Sequence, residues 1–351
     1  GNWCTGTTWW CSEPSTSPAR GGDGFLARGD GVSVGWSAHS PWSENSGPQP
    51  PCVKESMPSL AVRALSPLFR VTRKRPMATR ESAWKRITAA KADPAPPAWF
   101  SRRHTVDVRR VGGFDSYTVV PRGGVERVVL YVHGGSYVHE ISPWHWRFIA
   151  ALADAGCLVE VPIYGLAPGY THREAFPFLE AVHRELPTDG GPAVFMGDSA
   201  GGGLALAYAQ SLLGEEGSTA SPLPRRLVLI APCVDLTLSH PDIRELDRID
   251  PWLGPVGLRT AAEAWAGGDD LADPRLSPVN GPVEGLPPTD VYIGTHDLLL
   301  PDVRRLVERM RKAGVEVDLQ QEAGLFHVYP LVPCPEGRAA RERIISSLRE
   351  P

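Results

Sequence analysis

From about residue 101 onward the chain alternates two hydrophobic patterns. Short runs at 128–132, 157–161, 193–196, 227–231, 290–293 and 316–319 have strand length, and most are apolar on consecutive positions. Apolar residues on neighbouring positions are what a strand covered on both faces requires. Between those runs, at 144–155, 174–186, 204–213, 258–265, 302–313 and 336–348, apolar residues return every three or four positions, the period of an amphipathic helix. Residues 105–111 and 117–120 flank Gly112-Gly113 and read as an antiparallel pair around a tight turn. Strands alternating with helices predict an α/β fold, a mostly parallel sheet with helices on both faces. No internal repeat is visible.

The pattern changes toward the N-terminus. Residues 1–56 are rich in Gly, Ser, Pro and Trp without any period, and Trp3, Trp9, Trp10, Trp36 and Trp42 sit among turn formers. This composition predicts a disordered tail. The chain does not begin with Met, whereas Met57 opens a segment of different character, so the expected native start is Met57 or Met77. Residues 57–92 turn helical, with Leu60, Leu65, Leu68 and Phe69 interleaved with Arg63, Arg70, Arg73, Lys74 and Arg75. A basic amphipathic segment can lie on a membrane surface or fold over the main body with its charges in solvent. The short apolar face, interrupted by Pro67, favours the second reading. Pro94, Pro96 and Pro97 mark a linker, and residues 236–286 form a Pro- and Gly-punctuated insertion with one helical run.

With 351 residues, 42% of them hydrophobic, the chain can bury one large core with an insertion. A formal net charge of −4 argues against nucleic acid as a partner. No run reaches the 18 or so apolar residues of a membrane span, which leaves at most peripheral membrane contact. The first residues lack a basic and an apolar region of a secretory signal. Cys157, Cys233 and Cys334 lie far apart and form no C-x-x-C pair, while Cys4, Cys11 and Cys52 fall in the tail. Free thiols in a reducing cytoplasm are expected, with no disulfide framework and no metal site.

The chemistry concentrates at Phe195-Met196-Gly197-Asp198-Ser199-Ala200-Gly201. Strand, turn and helix surround a G-x-S-x-G spacing, the pattern of a nucleophile elbow. Glycines two before and two after are needed where a strained serine is squeezed between strand and helix. The helix start adds its positive dipole end and a free N–H from Ala200. Ligand chemistry in such sheets sits beyond the carboxyl ends of strands, and three loops there matter. His133-Gly134-Gly135-Ser136 follows a buried strand and can turn backbone N–H groups toward an oxyanion. Asp297, after the strand at 290–293, can accept a histidine N–H, with Asp302 and Asp235 as alternatives. His327, among ten histidines, stands between the last strand and the last helix, with His296 as competitor. The order Ser199, Asp297, His327 is that of the α/β-hydrolases.

The motifs HGGSY at 133–137, YGLAP at 164–168, GDSAGG at 197–202, DPRLSP at 273–278, THDLLLPD at 295–302 and LFHVY at 325–329 occur together and in order. On them the chain resembles the hormone-sensitive-lipase-like esterases, a branch of the α/β-hydrolase fold. The resemblance implies a serine carboxylesterase cleaving short- to medium-chain acyl esters through an acyl-enzyme, without cofactor or metal. It implies Ser199 as nucleophile, His327 as general base and Asp297 as its orienter, with N–H groups of Gly134, Gly135, Ser136 and Ala200 in the oxyanion hole. A cap is implied from residues 57–100 and from the 236–286 insertion, over a hydrolase body at 101–351. Two motifs depart from the family pattern. HGGG reads HGGS here, so the last donor comes from a serine backbone, which calls for a negative φ. The usual tyrosine-arginine-leucine-alanine-proline-glutamate run has glycine at 165 and 169, removing an ion pair. Tyr137, Trp252, Trp265, Phe326 and Tyr329 are candidates to shape the substrate pocket. The partner expected is a small acyl ester, and homodimerisation stays open. The same triad would serve an amidase, formamidase or deacetylase, which kinetics on matched ester and amide substrates would separate. A non-catalytic ligand-binding hydrolase fold is the remaining alternative, typically marked by loss of the Ser or His.

Overall fold

The computed structural model describes residues 57–188, 191–213 and 221–349. The tail expected at 1–56, and with it the reading of a native start at Met57, lies outside the described residues. Eight strands form one sheet: β1 (Thr105–Val111), β2 (Phe114–Val120), β3 (Arg127–Val132), β4 (Cys157–Pro162), β5 (Val194–Asp198), β6 (Arg226–Ile230), β7 (Thr289–Gly294) and β8 (Val317–Glu322). Their spatial order is β1-β2-β4-β3-β5-β6-β7-β8. β1 pairs with β2, and β2 with β4, antiparallel; from β4 across to β8 every pairing is parallel. The parallel strands need crossovers, and the helices supply them.

Successive residues of each inner strand point to opposite faces, so one strand feeds two cores. Val128, Leu130, Val132, Phe195, Leu227, Leu229 and Val291 pack on one side. Val129, Tyr131, Val194, Met196, Val228, Ile230 and Tyr292 pack on the other. This is why the sequence of β3, β5 and β6 is apolar without alternation. The crossover helices are α4 (Pro143–Asp154), α5 (His172–Arg184), α6 (Ser199–Ser211) and α9 (Leu300–Lys312), and α10 (Pro335–Ser347) follows the last strand. In α6 every residue from Ser199 to Gln210 is buried, so this helix sits inside the molecule.

The remaining helices belong to the N-terminal segment and the insertion. They are α1 (Leu60–Phe69), α2 (Arg80–Ile87), α3 (Ala98–Ser101), α7 (Ile243–Ile249) and α8 (Pro255–Ala266). Pro67, read as an interruption of the apolar face, does not end the helix: α1 runs through it and continues as a π-helical turn, Arg70–Lys74. A proline so near the end of a helix removes a single hydrogen bond, and burial of Val62 and Phe69 holds the segment down. Its charges are not all in solvent either. Arg70 donates to the carbonyls of Arg248 and Ile249, and Lys74 to those of Asp247 and Asp250. Two cations thus cap the C-terminal end of α7, where the helix dipole favours positive charge. Directly after the prolines read as a linker comes α3, whose Phe100 is fully buried against Trp146. Among the described residues no helix is long and apolar enough to cross a membrane.

Candidate active site

β5 ends in Asp198, and the chain turns into α6 at Ser199 with φ 51°. A left-handed backbone on a non-glycine residue costs about 1–2 kcal/mol, so the surroundings must hold it. They do so by leaving no space. A Cβ at Gly197 would overlap the carbonyl of Gly201, and one at Gly201 would overlap the carbonyls of Val132 and His133. Both glycines flanking the serine are required by this approach of α6 to β3 and β5.

His327 stands in the loop after β8, and its Nε2 lies 2.8 Å from Ser199 Oγ. Its Nδ1 lies 2.9 Å from Asp297 Oδ2. With an aspartate on Nδ1, the proton sits there, and Nε2 is left to accept the serine O–H. The two loops are stitched together. The His296 N–H donates to the Leu325 carbonyl at 2.8 Å, and the Gly324 N–H to Thr295 Oγ1 at 2.7 Å. Asp297 and His327 are almost wholly buried. Burial alone would push the His327 pKa down; the adjacent Asp297 carboxylate outweighs it, with help from Asp250 and Asp198, and the pKa is raised. Val328, next in the chain, holds φ 47°, a strained conformation for a β-branched residue.

The alternatives weighed for the acid and base lie elsewhere. Asp235 accepts from Thr237 and sits 3.6 Å from Arg305. Asp302, in the first turn of α9, has neither oxygen hydrogen-bonded, and burial followed by repulsion from Asp235 pushes its carboxyl up to about 7. The His296 imidazole makes no hydrogen bond to Ser199 or Asp297.

The glycine-rich loop after β3 differs from expectation in two ways. The Gly134 N–H is already spent, donating to Asp198 Oδ1 at 3.0 Å, so it is not free for an oxyanion. Gly134 instead ties the loop to β5. Ser136 has φ 54°, not a negative value, and it stands between Gly135 at φ 130° and Tyr137 at φ 62°. Three consecutive positive φ values coil the backbone into a concave turn, the kind that gathers N–H groups. The N–H groups of Gly135, Ser136 and Ala200 have no acceptor among the described residues, and all three residues line hollows beside Ser199.

Two residues not singled out in the sequence support this arrangement. Asp198 is buried and accepts from the Tyr131 hydroxyl at 2.7 Å, Gly134 N–H at 3.0 Å and His145 Nε2 at 3.1 Å. Burial would raise its pKa, but His145 and these donors hold it below the usual carboxylate value. His145 Nδ1 accepts from the Ser142 N–H, which leaves the proton on Nε2 facing Asp198. Asp250, at the C-terminal end of α7, is fully buried. Its Oδ1 accepts from Trp252 N–H at 2.6 Å and Leu253 N–H at 2.9 Å, and its Oδ2 from Leu298 N–H at 2.7 Å. That last bond holds the residue next to Asp297. Burial and then the Asp297 charge push the Asp250 carboxyl up to about 7. Partners 48 to 67 positions away in sequence explain why neither residue stood out.

The hollow in front of Ser199 is a cavity of about 670 Å³ that also meets His327, Trp144, Trp252, Arg73 and Glu140. Residues of the N-terminal segment and of the insertion therefore wall it. Behind Ala200 lies a narrow apolar recess of about 10 Å³, bordered by Tyr137, Cys233, Leu236, Leu238, Leu258 and Leu299. Of the five aromatic pocket candidates, Trp252 and Tyr137 border these hollows; the other three do not. Trp265 lies behind Tyr137, stacked on its ring at 4.5 Å, and Phe326 packs against Phe69 at 5.1 Å. Tyr329 is fully buried in the core beyond the sheet. Flanking a motif residue is no guide to orientation, and these rings point into the core. Gly165, where the family pattern has arginine, makes room for Tyr170 and Phe114, whose ring centroids are 5.0 Å apart. Cys157, Cys233 and Cys334 are free and buried, and among the described residues no cluster of His, Cys, Asp and Glu could hold a metal.

Residues 129–331 match a family described as having the alpha/beta hydrolase fold. An acetyl-hydrolase of Streptomyces hygroscopicus is 34% identical over 244 residues, 67% of this chain and 80% of that protein. An esterase of Acinetobacter venetianus is 27% identical over 251 residues, 69% of this chain and 81% of that protein. Among solved structures, an esterase from the bacterial hormone-sensitive lipase family superposes with a TM-score of 0.67 at 27% identity, covering 84% of this chain and 99% of that one.

Proposed function

The chain belongs to the hormone-sensitive-lipase-like esterases of the α/β-hydrolase fold and is a carboxylic ester hydrolase; on that premise we propose that it works by an acyl-enzyme formed on Ser199. The observation that carries the reading is the continuous chain from Ser199 Oγ to His327 at 2.8 Å and from His327 to Asp297 at 2.9 Å. His327 Nε2 takes the Ser199 proton as Oγ attacks the ester carbonyl, and Asp297 steadies the imidazolium. The oxyanion receives the N–H groups of Gly135, Ser136 and Ala200, donors held in place before the reaction begins. The C–O bond then breaks, the alcohol leaves with the proton from His327, and water repeats the sequence to free the acid.

The recess behind Ala200 has room for about one water-sized sphere. Of the two hollows beside Ser199 this narrow apolar one suits only a short acyl part such as acetyl, with its aliphatic lining giving way slightly, and the large cavity on the His327 side takes the alcohol. The Streptomyces relative, an acetyl-hydrolase, agrees with this reading. The test is Ser199→Ala, assayed on p-nitrophenyl acetate. A fall in kcat of about three to six orders of magnitude, with the melting temperature kept, is expected. Activity within tenfold of wild type would refute the role of Ser199.

A further inference from the structure

Arg73, on the π-helical turn after α1, and Arg86, in α2, line both the large cavity and an adjoining cleft of about 80 Å³ that reaches Ser136. Neither guanidinium has a carboxylate partner among the described residues. Most other charges on the cavity wall are engaged. Lys91 donates to the carbonyls of Ile87, Val138 and Ala167 at 2.7–2.9 Å. Asp198 is tied to Tyr131, Gly134 and His145, and Asp93 caps the Ala95 N–H. Glu140, beside Lys91, is pushed up to about 7 by burial, which weakens its charge at neutral pH. Arg73 is held over the indoles of Trp144 and Trp252, 5.6 and 5.3 Å from their ring centroids. Such a placement fixes a cation while leaving its N–H edge free. His139, in the same wall, is held near 4 by burial and then by Arg86, Lys91 and Arg73, so it adds no charge of its own but registers a positive field.

A cavity that serves the leaving alcohol and carries two guanidinium groups without a carboxylate partner, Arg73 held over two indoles and Arg86 beside it in the wall, is built for a substrate of opposite sign. We propose that the alcohol part of the substrate carries an anionic group, a carboxylate or phosphate, which Arg73 and Arg86 bind while the ester carbonyl reaches Ser199. The claim deepens the esterase reading and rests on it. The planar fork of arginine matches both anions with paired hydrogen bonds.

The experiment compares two acetyl esters with an anionic and a neutral leaving group, 4-acetoxybenzoate and its methyl ester, both followed by release of acetate. The readout is the ratio of their kcat/KM values, in which a general loss of activity cancels. In Arg73→Gln/Arg86→Gln the ratio of anionic to neutral ester should fall about tenfold, as expected for two partly solvated charge contacts. It should also fall in the wild type between low salt and 0.5 M salt, on the order of several-fold. The Arg102→Gln variant, outside the cavity, should keep the wild-type ratio. Should the double variant fail to fold, the single variants and the wild-type salt titration decide. A ratio unchanged by both substitution and salt overturns the proposal while leaving the esterase reading intact. Wild-type turnover of neither ester, or full turnover of both by Ser199→Ala, overturns the esterase reading itself.

Discussion

Replacing Asp250 by asparagine should injure stability and catalysis together, through one hydrogen bond. The carboxylate accepts three backbone N–H groups, two on Oδ1 from Trp252 and Leu253 and one on Oδ2 from Leu298. An amide has a single acceptor oxygen. Kept on the side with two donors, it leaves its NH2 facing the Leu298 N–H, at a separation that was 2.7 Å for a bond. One charge-assisted bond is lost and two donors are opposed, a cost of about 2–3 kcal/mol. For a domain of this size that lowers the melting temperature by about 3–5 °C. Leu298 follows Asp297 directly, so a displaced backbone there misplaces the carboxylate that orients His327. A shift on the order of 1 Å costs up to about a hundredfold in kcat. The charge matters separately. Asp250 helps raise the His327 pKa, so its removal should move the acid limb of kcat/KM down. The assay is a pH–rate profile on p-nitrophenyl acetate beside urea unfolding of both proteins. A stability loss with kcat and the acid limb unmoved would refute the coupling and leave Asp250 a structural residue only.

Two further outcomes follow from the same geometry. In a series of p-nitrophenyl esters, kcat/KM should be highest for acetate and fall at least tenfold by hexanoate, because the recess behind Ala200 holds about 10 Å³; a maximum at hexanoate or longer would contradict the acyl assignment. Activity should fall as the medium is acidified through an apparent pKa above 6.5, since His327 must be neutral to accept the serine proton and its pKa is raised. The stability contribution of this group runs the other way. A pKa higher folded than unfolded favours the folded state fully below the unfolded value and loses that contribution as pH rises through the folded one. Unfolding of wild type and His327→Gln across pH 5–9 checks this: their difference should shrink with rising pH, and a constant difference would contradict it.

What could be read from the sequence was local. The elbow is written in five consecutive positions, because the glycines at 197 and 201 answer an overlap that any Cβ would cause there. Inner strands were legible because burial on both faces makes them apolar throughout, as in β3 and β6. His327 and Asp297 were reachable because strand ends in a parallel sheet fix where chemistry gathers. The features that escaped are the ones made across distance. Asp198 and Asp250 owe their roles to Tyr131, His145 and Leu298, none of which is near them in the chain. Gly134 looked like a free donor, and only the position of Asp198 consumes its N–H. Ser136 was expected at negative φ because a serine ordinarily avoids the left-handed region; the tight return of the loop through Gly135 and Tyr137 overrides that preference. Pro67 looked like an interruption of the apolar face, yet one lost hydrogen bond is outweighed by burying Val62 and Phe69 on either side of it.

The central claim is that Ser199, activated by His327, becomes covalently bound during turnover. An organophosphate such as diethyl p-nitrophenyl phosphate, followed by mass spectrometry of the digested protein, measures this directly. A single diethylphosphoryl adduct on the peptide containing Ser199, formed in step with loss of activity and absent in His327→Gln over the same interval, is the result expected. Inactivation with the adduct on a different residue, or full modification of Ser199 with activity retained, would contradict it.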